Sequence, residues 1–421
     1  MRAHHRVVVA VAALTLLAGC TDSDPSSSAA GTSAAPPSDV PAAQLALSPA
    51  EGTTDVSPTT PLQVVVTDGE LDEVTVTDAA GTALEGTVDE VAGPGDAAPA
   101  VQTSAPASAP TATVDADATT VVWTPTTPLA YGATYTLTAT ADNAADEHAQ
   151  ASTTFSTVAP DLVTTPSIGP LDGTTVGVGM PIRVYFDQPV ADQAEVERHL
   201  VVTTSTPTDG AWNWISDDEV HFRPSTYWPA RTSVTLDADL YGVDMGGGVW
   251  GEKDRTVSFT VGERHVSVAD AAAHTLTVHD GDQVVQTYPM SAGNSENPTR
   301  NGPHVVLEEF ADITMDSSTF GLAVDAPGRY RTDVQYATRV SDNGEFVHAA
   351  PWSLAQQGSS NVSHGCINLS TERAQWFYDF SQPGDVVEVT GSIGPVLSPA
   401  DGDVYDWAIP WDQWLAGSAL D

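Results

Sequence analysis

The chain has few bases and almost no sulfur. Of its 421 residues only 14 are Lys or Arg, against 56 Asp or Glu, and the formal net charge is −42. Lys253 is the single lysine. A field of that sign repels phosphate backbones and anionic lipid headgroups, which excludes nucleic acid as a partner. Charged residues make up only 17% of the chain, so its acidity comes from missing bases. That pattern serves solubility rather than binding. Two cysteines are present, Cys20 and Cys366. No HExxH or CxxC pattern accompanies them, so no metal site is expected. No apolar run reaches the roughly 18 residues that a membrane-spanning helix takes.

The first residues read as an address. Arg2 and Arg6 precede a short apolar run from Val7 to Leu17, as in a secretory signal. The run ends in Leu17-Ala18-Gly19-Cys20, which resembles a bacterial lipobox. The resemblance implies cleavage after residue 19 and a diacylglyceryl group on Cys20. The chain is then expected on the outer face of the cell membrane, as a lipoprotein within the cell wall. Residues 20–43 are mostly Ser, Ala, Pro, Asp and Thr with no aromatics, and read as a disordered stalk. With Cys20 lipidated, Cys366 has no partner for a disulfide.

Two segments look like duplicates. "SPAEGTTDVSPTTPLQVVV" (48–66) and "GPLDGTTVGVGMPIRVYF" (169–186) share a Pro, an acid-Gly-Thr-Thr and a Pro before an alternating strand. Each closes on another strand, "STTFST" (152–157) and "TVSFTV" (256–261). Short Val/Thr/Tyr runs between Gly, Asp and Pro argue for β-sandwich modules, placed at 44–159 and 160–262. Residues 93–113, rich in Ala, Pro and Ser, interrupt the first as an expected disordered loop. A different texture runs from 263 to 392. Asp280-Gly281 signals a hairpin there. "STERAQWFYDFSQPGD" (370–385) is the best helix, with Ser370 as cap, Glu372 in the first turn and a stop at Pro383-Gly384. A tail over 393–421 carries Trp407, Trp411 and Trp414, which are expected to pack on the 263–392 domain.

The chemistry concentrates in "NVSHGCINLS" (361–370). Cys366 could be a buried filler or a nucleophile. A nucleophilic thiol needs a base nearby. His364 is close in sequence but constrained by the short turn. His348 ends a strand, "GEFVHAAPW", and can approach from the side. A backbone carbonyl would serve to orient it. Arg329, Arg331 and Arg339 could meet a ligand's carboxylates, or pair at the surface with Asp333, Asp342 and Glu345.

The order is His348, fourteen residues, then Ser363-His364-Gly365-Cys366-Ile367-Asn368. This resembles the signature of the L,D-transpeptidase catalytic domain. The likeness extends through "MDSSTFG" (315–321), "GRYRTDVQYATRVSDNGEFVHAAPWS" (328–353) and "DWAIPWDQWLAG" (406–417). It is similar to the mycobacterial-type enzymes, in which immunoglobulin-like modules precede the catalytic domain. The implied fold is mainly β: two immunoglobulin-like sandwiches, a catalytic β-sandwich with one short helix, and an aromatic tail packed on it.

The resemblance implies roles residue by residue. Cys366 is the expected nucleophile, His348 the general base and acid, and the Ala349 carbonyl its orienting acceptor. Ser363, His364, Gly365 and Asn368 would shape and support the oxyanion turn. Tyr330, Met315, Asn343, Gly344 and Trp352 would line the cleft, under a flap at 311–331. The implied reaction joins peptidoglycan stem peptides by 3→3 cross-links through a thioester, with no metal or organic cofactor. Carbapenems are expected to acylate the same thiol. The same acyl-enzyme would also serve an L,D-carboxypeptidase or a D-amino-acid exchanger. A non-catalytic wall-binding spacer is the rival outside enzymes. "NPTRNGPHVV" (297–306) departs from the family's usual Thr-Pro-x-Gly approach.

Overall fold

The computed structural model describes residues 40–91, 118–320, 331–402 and 404–420. Cys20, the 93–113 insertion and Tyr330 lie outside the described residues, as do the signal and most of the stalk. Ala42–Asp421 pack as one unit.

The first sandwich sets two antiparallel sheets face to face. One runs Gln44–Ser48, Leu62–Thr67, Thr119–Pro125, Gly86–Val91; the other Glu70–Asp78, Thr134–Asp142, His148–Ser156. The sequence period of two explains the core. Leu62, Val64 and Val66 face inward from one sheet, and Tyr135, Leu137, Ala139 and Ala141 from the other, around Trp123 and Phe155.

The second sandwich repeats the plan. Its sheets are Thr175–Val176, Arg255–Val261, Ser233–Ala238, Leu200–Thr204, and Gly210–Trp214, Glu219–Pro224, Ile182–Tyr185, Ser167–Gly169. The duplicated acid-Gly-Thr-Thr does the same work in both. Glu51 and Asp172 each accept a backbone N–H from the closing strand, of Thr154 at 2.6 Å and Ser258 at 2.9 Å. The N–H groups of Gly52 and Gly173 donate to the carbonyls of the same two residues at 2.8 and 2.7 Å. Both glycines sit at positive φ, 75° and 73°, which explains why the motif needs Gly there.

The domain that follows, from residue 263, is also a pair of sheets. A five-stranded sheet runs Gln283–Pro289, Thr275–Asp280, His265–Asp270, Val386–Thr390, Gly302–Val305. A four-stranded sheet runs Glu308–Asp316, Arg331–Arg339, Phe346–Ala349, Ile367–Leu369. The helix Thr371–Phe380 starts where its cap requires, with Ser370 Oγ accepting the N–H of Arg373. It buries Ala374 and Phe377 against the four-stranded sheet.

Backbone contacts join this domain to the second sandwich. Gly177 and Gly179 donate to the carbonyls of Pro383 and Gly384, each at 2.8 Å. A side chain at Gly177 would begin 2.1 Å from the backbone N of Asp385, so only glycine allows the approach.

The tail divides its contacts. Leu397 N–H donates to the Asn301 carbonyl, and Asp401 pairs with Arg300 Nε at 2.7 Å, both on the catalytic domain. The turn Asp406–Ala408 also meets strand Gly302–Val305. The three tail tryptophans differ from expectation: they gather on the second sandwich around Arg223. Its guanidinium lies 4.8, 5.1 and 4.6 Å from the rings of Trp407, Trp411 and Trp414. A cation stacked on three aromatic faces explains the choice of surface. Trp407 Nε1 donates to the Gly179 carbonyl and Trp414 Nε1 to that of Ala211. Beneath them His221 lies between Asp406 (2.9 Å) and Glu219 (2.6 Å), and His221 and Asp406 are both fully buried.

Candidate active site

Parallel pairing builds the site. Strand Phe346–Ala349 lies beside Ile367–Leu369, with Val347 opposite Ile367, His348 opposite Asn368 and Ala349 opposite Leu369. Cys366 immediately precedes the second strand. It is therefore two positions from His348's partner and shares His348's face. Both side chains line one cavity of about 390 Å³, together with Met315, Trp352, Ser363, His364 and Asn368.

The turn that delivers Cys366 is held on both sides. Gly365 adopts φ 122°, a conformation that disfavours any side chain. Ser363 Oγ donates to the Cys366 carbonyl at 2.6 Å and accepts the Gly365 N–H at 3.1 Å. That amide is therefore engaged within the turn in this state. Thr299 Oγ1 donates to the Gly365 carbonyl at 2.6 Å. Asn368 Nδ2 donates to Ser353 Oγ at 3.2 Å, tying the second strand to the turn after His348.

His348 has one hydrogen-bond partner within its strand. Its Nδ1 donates to the Ala349 carbonyl at 2.8 Å. A carbonyl only accepts, so Nδ1 carries the hydrogen and Nε2 keeps its lone pair. The ring is 4% exposed. Burial depresses its pKa to about 4, and the Ala349 contact offsets little of that. The Cys366 thiol faces the Gly344 carbonyl at 3.7 Å. Burial pushes it up to about 12, with the Glu345 carboxylate adding in the same direction. Both shifts favour the uncharged forms, a thiol and an imidazole.

The predicted cleft residues separate. Met315, Trp352, Ser363, His364 and Asn368 reach the cavity. Gly344 contributes its carbonyl behind the thiol. Asn343 points elsewhere: its Nδ2 donates to Asp401 Oδ1 at 2.9 Å and its Oδ1 accepts from Ser341. It braces the tail because a buried carboxylate there needs donors. Thr332, Val334, Ser353, Gln356 and Val362 line the cavity without having been anticipated. Thr332 and Val334 were readable: Thr332 pairs with Met315, and Val334 is one period further along. Glu345 is no surface partner of Arg339, which instead pairs with Glu308 and lies over Phe346.

Residues 264–389 match the model of the L,D-transpeptidase catalytic domain, and 99–244 match that of a bacterial Ig domain. L,D-transpeptidase 2 of Mycobacterium tuberculosis (strain CDC 1551 / Oshkosh) is 43% identical over 297 residues, 70% of this chain and 72% of the relative. L,D-transpeptidase 5 of Mycobacterium tuberculosis (strain ATCC 25618 / H37Rv) is 38% identical over 387 residues, 90% of this chain and 78% of the relative.

The chain belongs to the L,D-transpeptidases.

A solved structure described as an LD transpeptidase in complex with imipenem is 36% identical and aligns with a TM-score of 0.49, covering 55% of this chain and 100% of that one. As an L,D-transpeptidase the chain is mainly β, with an Ig-like region ahead of its catalytic domain.

Proposed function

We propose that this L,D-transpeptidase cross-links peptidoglycan stem peptides through a thioester on Cys366. The observation that carries the reading is Cys366 and His348 on one cavity, with the imidazole tautomer fixed by Ala349.

Burial favours the uncharged form of both groups, and in this reading proton transfer accompanies attack. His348 Nε2 takes the thiol proton as sulfur bonds to the carbonyl carbon of the donor stem's meso-diaminopimelate. Turn amides stabilise the oxyanion. The imidazolium returns its proton to the departing D-Ala amine as the C–N bond breaks, leaving a thioester. A side-chain amine from a second diaminopimelate then attacks. His348 takes its proton, the C–S bond breaks, and the thiol is restored, giving a 3→3 cross-link. Water as acceptor would give a carboxypeptidase, and a D-amino acid would give exchange. A carbapenem acylates the same sulfur by ring opening. Tyr330, which the resemblance places at the cleft, belongs to this reading too. So does the lipid anchor at Cys20, which would hold the enzyme at the outer membrane face within the wall.

The test is intact-mass spectrometry after exposure to meropenem, with Cys366→Ala beside it, followed by incubation with tetrapeptide stems. A single adduct lost in the variant, and a dimeric product short of one D-Ala, are expected. No adduct on folded protein overturns the reading in favour of a spacer. An adduct with only hydrolysed tripeptide moves it to a carboxypeptidase.

A further inference from the structure

A buried acid–base pair sits behind the nucleophile turn. Glu345 and His304 are 5% and 0% exposed. Glu345 precedes the strand that carries His348, and its Cγ and Oε1 lie 3.6 Å from where a side chain on Gly365 would begin. Oε1 accepts the Arg300 N–H at 2.9 Å, and Oε2 lies 2.9 Å from His304 Nε2. His304 Nδ1 donates to the Gly302 carbonyl at 2.9 Å. Since that carbonyl only accepts, Nδ1 already holds a hydrogen. One further proton must therefore lie between Nε2 and Oε2. With the Arg300 N–H on Oε1 and His304 on Oε2, both oxygens of the carboxyl are engaged.

We propose that Glu345 and His304 are positioning residues that fix the nucleophile turn and hold Cys366 as a thiol until substrate arrives. The proposal rests on reading Cys366 as the nucleophile. Glu345 stands behind the Gly365 turn that delivers the sulfur, and a negative charge there disfavours thiolate, while His304 Nε2 holds the same carboxyl. Thiolate is the form that oxidants attack, and a lone nucleophilic thiol expected outside the cell gains from staying protonated. Binding of a stem peptide then supplies the carbonyl carbon that sulfur attacks as its proton passes to His348 Nε2. Other charged or titratable groups face this region: His348 from the neighbouring strand, His364 in the turn, the Arg300–Asp401 pair, and Arg339 over Phe346 with its partner Glu308.

The experiment is the pH dependence of iodoacetamide alkylation of Cys366 in the folded 42–421 unit. Glu345→Gln keeps an acceptor for Arg300 but loses the charge, and its midpoint should fall by roughly half a unit to one unit. His304→Gln leaves the carboxylate without a cation, and its midpoint should rise by a similar amount. A purely structural role would alter melting but leave both midpoints in place, and unchanged midpoints in folded variants overturn the proposal. Ring 15N shifts of His304 in the unaltered protein give a reading that needs no variant. Both nitrogens protonated at pH 7 supports it, and one bare nitrogen overturns it. Alkylation does not depend on the acceptor, so shifted midpoints without cross-linking would sink the proposed function and leave the pair standing.

Discussion

His348 and His221 are both buried, and they do opposite things. His221 has a carboxylate on each ring nitrogen, Asp406 and Glu219. Burial lowers its pKa, and the two acids outweigh that and raise it to about 9. His348 has a carbonyl on Nδ1 and a cavity beyond, and burial takes its pKa down to about 4. One ring is a fixed cation that fastens the tail. The other ring keeps a lone pair on Nε2, facing the cavity. The partners, not the depth, decide which.

The largest effect should come from breaking the catalytic side. His348→Gln removes the proposed base while keeping polarity, and acylation of Cys366 should fall roughly 10²–10⁴-fold. Melting and tail fluorescence should hold. Stopped-flow acylation and thermal melts in parallel would check this. A variant that acylates normally would mean the proton leaves by another route.

The structural side should fail in the complementary way. Asp406→Asn strips His221 of its fully buried partner, and removing one member of a buried pair costs about 3–5 kcal/mol. Urea unfolding should show that loss, and acylation of the fraction still folded should stay near normal. Acylation falling in step with stability would show that the tail supports the cavity as well as the seam.

Acid and base sharpen the contrast. His221 is raised above its ordinary 6.5, so its contribution is complete below that value and is lost as pH climbs through about 9. His348 is lowered, so the unfolded chain takes up its proton first, and stability falls as pH drops from 6.5 toward 4. Each is worth on the order of 3 kcal/mol over its window. Difference curves against His221→Asn and His348→Gln should therefore slope in opposite windows. A His221 difference that is flat between pH 7 and 10 would show that the ring is not held as a cation.

The two sides also differed in how far the sequence revealed them. Cys366 and His348 were legible because one short motif and one pair of neighbouring parallel strands bring them together. The repeated acid-Gly-Thr-Thr was legible for the same reason, since its hydrogen bonds follow from local turn chemistry. The seam was not. Asp406 meets a histidine that the chain passed far earlier, and nothing local to "EVHFRP" marks His221 as a partner for the tail. Glu345 misled for a related reason. It reads as a surface acid beside Arg339, while the residue that draws it inward, His304, lies on a strand of the other sheet.

Arg223 tests the seam at its weakest. Its guanidinium fits among three tryptophan rings and donates to the Ile409 carbonyl at 2.8 Å. Burial brings its pKa down to about 10, so it stays charged near neutrality. Lysine keeps that charge and loses the flat, stacking shape. If charge alone held the tail, Arg223→Lys would be silent. If stacking holds it, the change should cost about 2 kcal/mol, the size of a desolvated cation–π contact. Tryptophan emission should shift red while Cys366 still acylates. That result would separate the shape of the cation from its charge, a distinction that His221, held by charge on both sides, cannot make.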